Sequence, residues 1–463
     1  MYGVDIQQII NVVPTVGVTP TKVSPCNSYS APIYEILPDV HLVLFSHRLL
    51  REKERVLGER KMSLSSEDNG IVIIGAGIVG LATALALHRK GICSVVLERA
   101  DALRSTGAAI GIQANGWRAL DQLGVGPTLR EKAIRLRVLR EIYLDNGQTE
   151  EALLGKEEGR YLLRSDLLQA LFDSLPARTV RFGCQIIKVK TDPGTSHSTL
   201  QFNDGSVAIA KILIGCDGVN SIVAESLKLK PTRQYPIGAV RGITNYPNGH
   251  GFSNDHIRIK KGNVLVGRVP VDYKIVYWYI ARPQLPGDSE ILGKPELIRQ
   301  DALKAMEGCP QEYLEMVENS DDSDLSFTKV SYRAPWDLVL GKFRRGTVTV
   351  AGDAMHVMGP FLGQGGAAGL EDAVVLGRCL ARELFMGPNG DYDGRNLVNR
   401  VWKAFDEYVK ERRVRVARLS LQTYLTGVLV ATSSTFVTRL VLLALRILFR
   451  NAFSHAEYDC GRL

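Results

Sequence analysis

Residues 70–98 read GIVIIGAGIVGLATALALHRKGICSVVLE, and the rest of the chain is arranged around them. Ile71 to Ile74 form a short apolar, β-branched run, the composition of a strand buried on both faces. Gly75, Gly77 and Gly80 follow in the spacing G-x-G-x-x-G. The first glycine lets the chain turn sharply, the second lets a pyrophosphate approach bare backbone, and the third lets helix and strand pack closely. Leu81, Leu85 and the intervening alanines continue as a helix whose N-terminus favours anions. Gly91 ends that helix, residues 94–97 read as the next strand, and Glu98 closes it. An acid about 20 residues beyond such glycines accepts from ribose hydroxyls and repels a 2′-phosphate. The stretch therefore predicts a site for FAD or NAD rather than NADP.

A chain of 463 residues is too long for one simple core. Its 45% hydrophobic and 23% charged residues describe a globular protein rather than a disordered or fibrous one. The seven cysteines are scattered without C-x-x-C spacing, which argues against zinc sites and a disulfide framework and points to a reducing compartment. The net charge of +8 is uneven, with ten Lys or Arg against five Asp or Glu from residue 402 onward. No basic patch is interleaved with aromatics, so nucleic acid is not an expected partner.

Residues 1–69 precede the first strand and read as an extension, disordered or non-native. Five prolines break any long helix there, and Met62 before a polar SLSSEDN stretch reads as a natural start. Neither a signal peptide nor an Arg-rich transit peptide is recognisable. Beyond Glu98 lie Arg99 and Arg104, the latter opening an Arg-Ser-Thr-Gly run; an arginine after the second strand can reach back to a pyrophosphate. Asn146-Gly147 marks a hairpin, and Ser165, just after Arg164, is expected to cap a helix. Residues 211–215 read as another buried strand, ending in Asp217-Gly218 where an open α/β sheet places its ligands.

The pattern then changes. Residues 264–271 and 275–281 read as paired antiparallel strands, and 301–317 as a helix. Residues 346–353 make a further strand ending in Asp353, followed by Pro360 and a glycine-rich turn carrying Gly363, Gly365 and Gly366 ahead of an Ala-rich helix, a second site suited to an anion or dipole. His356 reads as structural rather than catalytic, and there is no metal-ligand cluster or nucleophile elbow. Residues 419–450 are apolar, but Arg439 and Arg446 interrupt them; with Arg450 they share one face of an amphipathic helix, docked on the protein or lying on a membrane surface.

Three motifs in a fixed order carry a resemblance: Gly75-x-Gly77-x-x-Gly80 with Glu98, Asp217-Gly218, and Gly352-Asp353 with Pro360. From residue 70 onward the chain resembles the group A flavoprotein monooxygenases, the p-hydroxybenzoate- and salicylate-hydroxylase-like family. RGITNYPNGHGF, GKFRRGTVTVAGDAMHVMGP and the final YDCGRL look like the plant members. The resemblance implies an α/β fold (α+β overall), with a Rossmann-like FAD domain, an interleaved antiparallel substrate domain and a C-terminal helical segment. The expected division is 70–140, 160–185, 211–235 and 334–415 for the FAD domain, 141–159, 186–210 and 236–333 for the substrate domain, and 416–463 for the tail.

It further implies tightly bound, non-covalent FAD, NAD(P)H as a transient electron donor and O2 as co-substrate. Hydroxylation or epoxidation of a small aromatic or polyene substrate would pass through a flavin C4a-hydroperoxide. Carried over by position, Glu98 holds the adenosine ribose, Arg104 and Arg164 contact the phosphates or ribityl chain, Asp217 and Gly218 serve both nucleotides, Asp353 binds the ribityl hydroxyls, and Pro360 with the 363–366 turn lies beside the isoalloxazine. Ala224 stands where the family has Arg, and Ala367 where it often has Asn. Two other readings stay open: a catalytically degenerate flavin-fold protein binding a lipid or partner, and a flavin reductase or oxidase releasing peroxide. The expected location is cytoplasmic or organellar, the chloroplast included, without secretion.

Overall fold

The computed structural model describes residues 70–103, 109–154, 158–385, 394–432, 434–449 and 454–463. The expectations for residues 1–69, Arg104 and Arg450 lie outside these. Ile71–Ile74 is the centre of a six-stranded sheet, buried at all four positions. It pairs in parallel with Val95–Leu97 on one side and Ile212–Gly215 on the other, and Ile212–Gly215 pairs in parallel with Val348–Val350. Arg344–Arg345 and Val180–Arg181 close the edges. Because these central strands run the same way, their carboxyl ends bring Gly75, Glu98, Asp217 and Asp353 to one rim of the sheet.

Helix Ile78–Arg89 is apolar on nearly every side because it is sandwiched between this sheet and helix Gly365–Phe385. Small residues set that approach: a Cβ on Gly377 would lie 2.8 Å from the Ala86 Cβ, and one on Gly369 would lie 2.4 Å from Val79.

A second, seven-stranded sheet orders Ser326–Tyr332, Arg233–Asn245, Ile275–Pro283, Val264–Pro270, Asp255–Lys261, Val138–Tyr143 and Gln148–Leu153. Along Ile275–Pro283 successive side chains point to opposite faces. Val276, Trp278 and Ile280 pack under helices Pro295–Ala305 and Gln311–Glu318, while Tyr277 and Tyr279 face the opposite side. The single helix expected over 301–317 is two, broken around Gly308 (φ +79°) and Pro310.

Three further expectations differ from what forms. Ser165 is not a cap: helix Arg164–Asp173 begins after Leu163, with no side-chain cap bond. Residues 186–210, expected in the substrate domain, build their own three-stranded sheet, and Leu200, Phe202 and Ala210 are buried in the same core as Ile71–Ile74. The expected boundary at 415/416 falls inside one unbroken helix, Gly394–Ala431, whose buried positions Val401, Phe405, Tyr408, Arg412, Val416 and Leu419 continue across it. Among the described residues no helix is long and apolar enough to cross a membrane.

Candidate active site

A cavity of about 1580 Å³ lies between the rim of the first sheet and the tyrosine face of the second. A drug-sized ligand typically needs ~300–1,000 Å³, so this space admits a large cofactor and a second molecule together. Gly75, Gly77, Glu98, Arg99, Arg164, Asp217 and Gly218 line one end. Asp353, Pro360, Gly363, Gly365 and Gly366 line the cavity too. Gly80 does not line it; a Cβ there would sit 1.8 Å from the Gly75 carbonyl oxygen, so its role is the close packing of helix against turn.

Each glycine of the motif answers a different demand. Gly75 adopts φ +99° and donates its N–H to the Leu97 carbonyl at 2.8 Å, fastening the turn to the neighbouring strand. At Gly77 a Cβ would meet no atom of the described residues beyond its own turn within 4 Å, which leaves room for a ligand over the helix N-terminus. Both Glu98 oxygens accept backbone N–H groups, from Ala76 at 2.7 Å and Ala100 at 3.0 Å. The acid thus latches the glycine turn from the second strand and keeps lone pairs for a ligand's hydroxyls. Asp217 is partly buried, which pushes its carboxyl up, and its Oδ2 accepts the Ile222 N–H at 2.8 Å. Asp353 is exposed to the cavity at the first position of a short helix.

The N-terminus of helix Gly365–Phe385 opens onto the same space and is held by a buried polar network. Gln113 Nε2 donates to the Leu362 carbonyl, Gln364 Nε2 to Gln113 Oε1, and Asn115 Nδ2 to both Gln364 Oε1 and Glu371 Oε1, all within 2.6–2.9 Å. Arg412 then bridges Glu371 at 2.7 Å and Asp372 at 2.6 Å, and Arg415 reaches Glu371 at 2.9 Å. Asp372 also accepts the Gly352 N–H at 2.9 Å and sits 2.6 Å from His356 Nε2. Burial works to raise the Asp372 carboxyl, but His356 and Arg412 overcome it and hold it at about 2. His356 is fully buried and lines no part of the cavity. No sequence signal links residues 113–115, 356–372 and 412–415; only the fold assembles them.

The opposite wall carries Leu136, Leu139, Tyr161, Arg241, His256, Arg258, Tyr277 and Tyr279. Burial pushes the Tyr161 hydroxyl up, and that of Tyr277 to about 12, so both stay protonated as donors at neutral pH. Glu141 holds Arg258 at 2.9 Å and Lys260 at 2.7 Å; burial opposes its ionisation, but these two cations bring it down to about 2. His256, 2.9 Å from the Tyr279 hydroxyl, is lowered from 6.5 to about 3 by burial and by Arg258.

That shift sets a pH dependence. The folded state keeps His256 neutral while the unfolded chain takes a proton below pH 6.5, so stability falls as the pH drops toward 3. Between pH 6.5 and 4.5, above the range where Glu141 titrates, the slope should be on the order of 1 kcal/mol per pH unit. Urea midpoints measured across that window should flatten in His256→Gln; an unchanged slope would locate the titration elsewhere.

The donor set fits FAD: an open cradle over Gly77, an acid at the second strand's end, and a second helix N-terminus opening onto the same cavity. The chain belongs to the family described as FAD binding domain, which matches residues 68–387, and its class is FAD-dependent monooxygenase. It is 50% identical over 402 residues to Monooxygenase 1 of Arabidopsis thaliana, covering 86% of this chain and 100% of that one. Monooxygenase 2 of the same plant is 32% identical over 401 residues, 85% of this chain and 98% of its own. The 3-hydroxybenzoate 6-hydroxylase of Klebsiella oxytoca is 29% identical, covering 67% of this chain and 79% of its own. The fold is shared with Klebsiella pneumoniae HpxO complexed with FAD and uric acid, at TM-score 0.68, 23% identity, 85% of this chain and 96% of that one.

The two departures from the family pattern have structural settings. Ala367 is fully buried against Gly116, whose added Cβ would lie 3.1 Å from the Ala367 Cβ, leaving little space for a larger side chain. Ala224 is buried in a short helix, its N–H donating to the Ser221 hydroxyl oxygen at 2.9 Å.

Proposed function

We propose that the protein takes electrons from NAD(P)H and one oxygen atom from O2 to hydroxylate or epoxidise a small electron-rich substrate, aromatic or polyene. The observation that carries the reading is the juxtaposition, across one cavity, of the flavin-type rim and a wall of tyrosines with two arginines. Bound there, FAD supplies the redox chemistry with O2. In this reading Glu98 holds the adenosine ribose, and Arg99 and Arg164 meet the pyrophosphate end. Asp217 and Gly218 support the dinucleotide, and Asp353 takes the ribityl hydroxyls. Pro360, Gly363, Gly365 and Gly366 would hold the flavin ring, where the helix N-terminus would favour negative charge.

On the substrate side, Leu136 and Leu139 exclude water, while the protonated Tyr161 and Tyr277 hydroxyls can donate to a substrate oxygen. Arg241 lines the same wall near Tyr277 and suits an acidic substituent.

The purified protein should be yellow, and a panel of aromatic acids and phenols should contain a member that stimulates NAD(P)H oxidation with oxygenated product. A protein that cannot be loaded with FAD, or that returns every NAD(P)H equivalent as peroxide for all substrates, sinks the proposal. Arg241→Ala should raise KM for an acidic substrate by roughly 10- to 100-fold while leaving substrate-free NAD(P)H oxidation unchanged. A KM that does not move removes Arg241 from substrate binding.

A further inference from the structure

Helix Thr435–Leu448 carries apolar side chains on two faces, and the protein itself uses one. Leu442, Leu445 and Arg446, with Phe449 just beyond, line the cavity, and Val441 is buried. On the other side Phe436, Leu440, Leu443 and Ile447 recur at i, i+4, i+7 and i+11, a single stripe along the helix. They are 74%, 57%, 55% and 66% exposed. Four large apolar side chains aligned in water mark a surface that meets something else.

Charge identifies the partner. From residue 413 to 456 the chain has no Asp or Glu, whereas Arg418, Arg439 and Arg446 are exposed. At about 100° per residue, Arg439 and Arg446 fall roughly 70–90° to one side of the stripe's centre. Arg418 stands 5.6 Å from the Phe449 ring at the helix's end. Apolar stripe and flanking arginines have the geometry of a helix lying in a bilayer interface, its side chains in the acyl boundary and its guanidinium groups at the headgroups. With 14 residues the helix spans about 21 Å, short of the ~30 Å hydrocarbon core, so it would lie on a membrane rather than cross it. A second copy suits the face less well, because pairing it with itself places arginines near arginines with no acid on the helix to compensate.

We infer that the outer face of helix Thr435–Leu448 docks this protein on an anionic lipid surface. The docking does not depend on the catalytic reading, and its readout is independent of activity.

The test is sedimentation of the full chain with vesicles of phosphatidylcholine alone or mixed with phosphatidylserine. Partition onto the mixed vesicles should exceed that onto neutral ones by about tenfold or more and should fall as salt rises. Leu440→Asp with Leu443→Asp, both outside the cavity wall, should lower that partition by about tenfold or more with melting temperature and flavin content unchanged. Arg439→Glu should erase the preference for anionic over neutral vesicles while the stripe stays intact. The inference is overturned if wild type does not sediment with anionic vesicles, or if the double variant partitions as wild type does. A concentration-dependent dimer that the double variant dissolves would likewise overturn it, giving the face to a second copy.

Discussion

Gly77→Val is expected to give a folded protein that has lost FAD. Gly77 sits at φ −74° and ψ −179°, extended backbone that a β-branched residue adopts readily, and an added Cβ meets no atom of the described residues beyond its own turn within 4 Å. The fold therefore tolerates the side chain at no more than about 1 kcal/mol, the usual worth of a helix N-cap. The valine instead fills the space where a pyrophosphate must lie against the helix N-terminus. FAD affinity should fall on the order of 100-fold or more, since the backbone contacts and the helix dipole are lost together. Titration of apoprotein by flavin-fluorescence quenching measures this, and the apoprotein melting temperature checks the fold. A Gly77→Val protein that binds FAD as wild type does would move the pyrophosphate away from this turn. Gly80→Ala is the contrasting change: its Cβ would lie 1.8 Å from the Gly75 carbonyl, so helix and turn must separate whether or not a ligand is present.

These two glycines show what the sequence made legible. Each local signal in residues 70–98 is complete within about thirty residues: apolar strand, turn, helix, strand, acid. The strands ending in Asp217 and Asp353 were readable for the same reason, because a short apolar run followed by Gly and Asp is a local pattern. Period-2 alternation likewise exposed the hairpin around Tyr277 and Trp278. Signals that depend on distant partners were not legible. Residues 186–210 alternate as any half-buried strand does, and only their burial beside Ile71–Ile74 assigns them to that core. Ser165 has cap chemistry, but the preceding strand runs straight into the helix, whose N-cap is Leu163, two residues earlier. The parallel pairing of Val138–Tyr143 with Asp255–Lys261 joins segments more than a hundred residues apart and places Glu141 against Arg258 and Lys260. The buried network is the extreme case: Arg412 reads as one basic residue among several, yet it is fully buried.

That burial makes Arg412 the side chain whose loss should cost most. Glu371 and Asp372 are both fully buried, and Arg412 touches both. Arg412→Leu leaves Arg415 beside Glu371 and only His356 beside Asp372, so one carboxylate remains without an arginine. Removing one partner from a buried ion cluster typically destabilises by about 3–5 kcal/mol, because the remaining charge keeps its desolvation cost without its compensation. Chemical denaturation at neutral pH should show a loss of that size. Replacing Arg412 and Asp372 together with leucine should cost less than Arg412→Leu alone.

The pH dependence carries the sign. In wild type, Asp372 ionises at about 2 when folded against an ordinary 3.8, so its contribution is complete above pH 3.8 and is lost as the pH falls toward 2. Without Arg412, one of the two groups that oppose burial is lost and only His356 remains, so the folded carboxyl rises from about 2 and acid protonates it earlier than in wild type, relieving the weakened pairing. The gap between variant and wild type should therefore narrow as the pH falls into the acid range, and not widen. Asp372 also fixes the Gly352 N–H, and Glu371 accepts from Asn115, which in turn holds Gln364 at the helix N-terminus. FAD affinity should consequently fall together with stability in Arg412→Leu. A variant as stable as wild type with unchanged flavin binding would show that the cluster neither supports the fold nor positions the site.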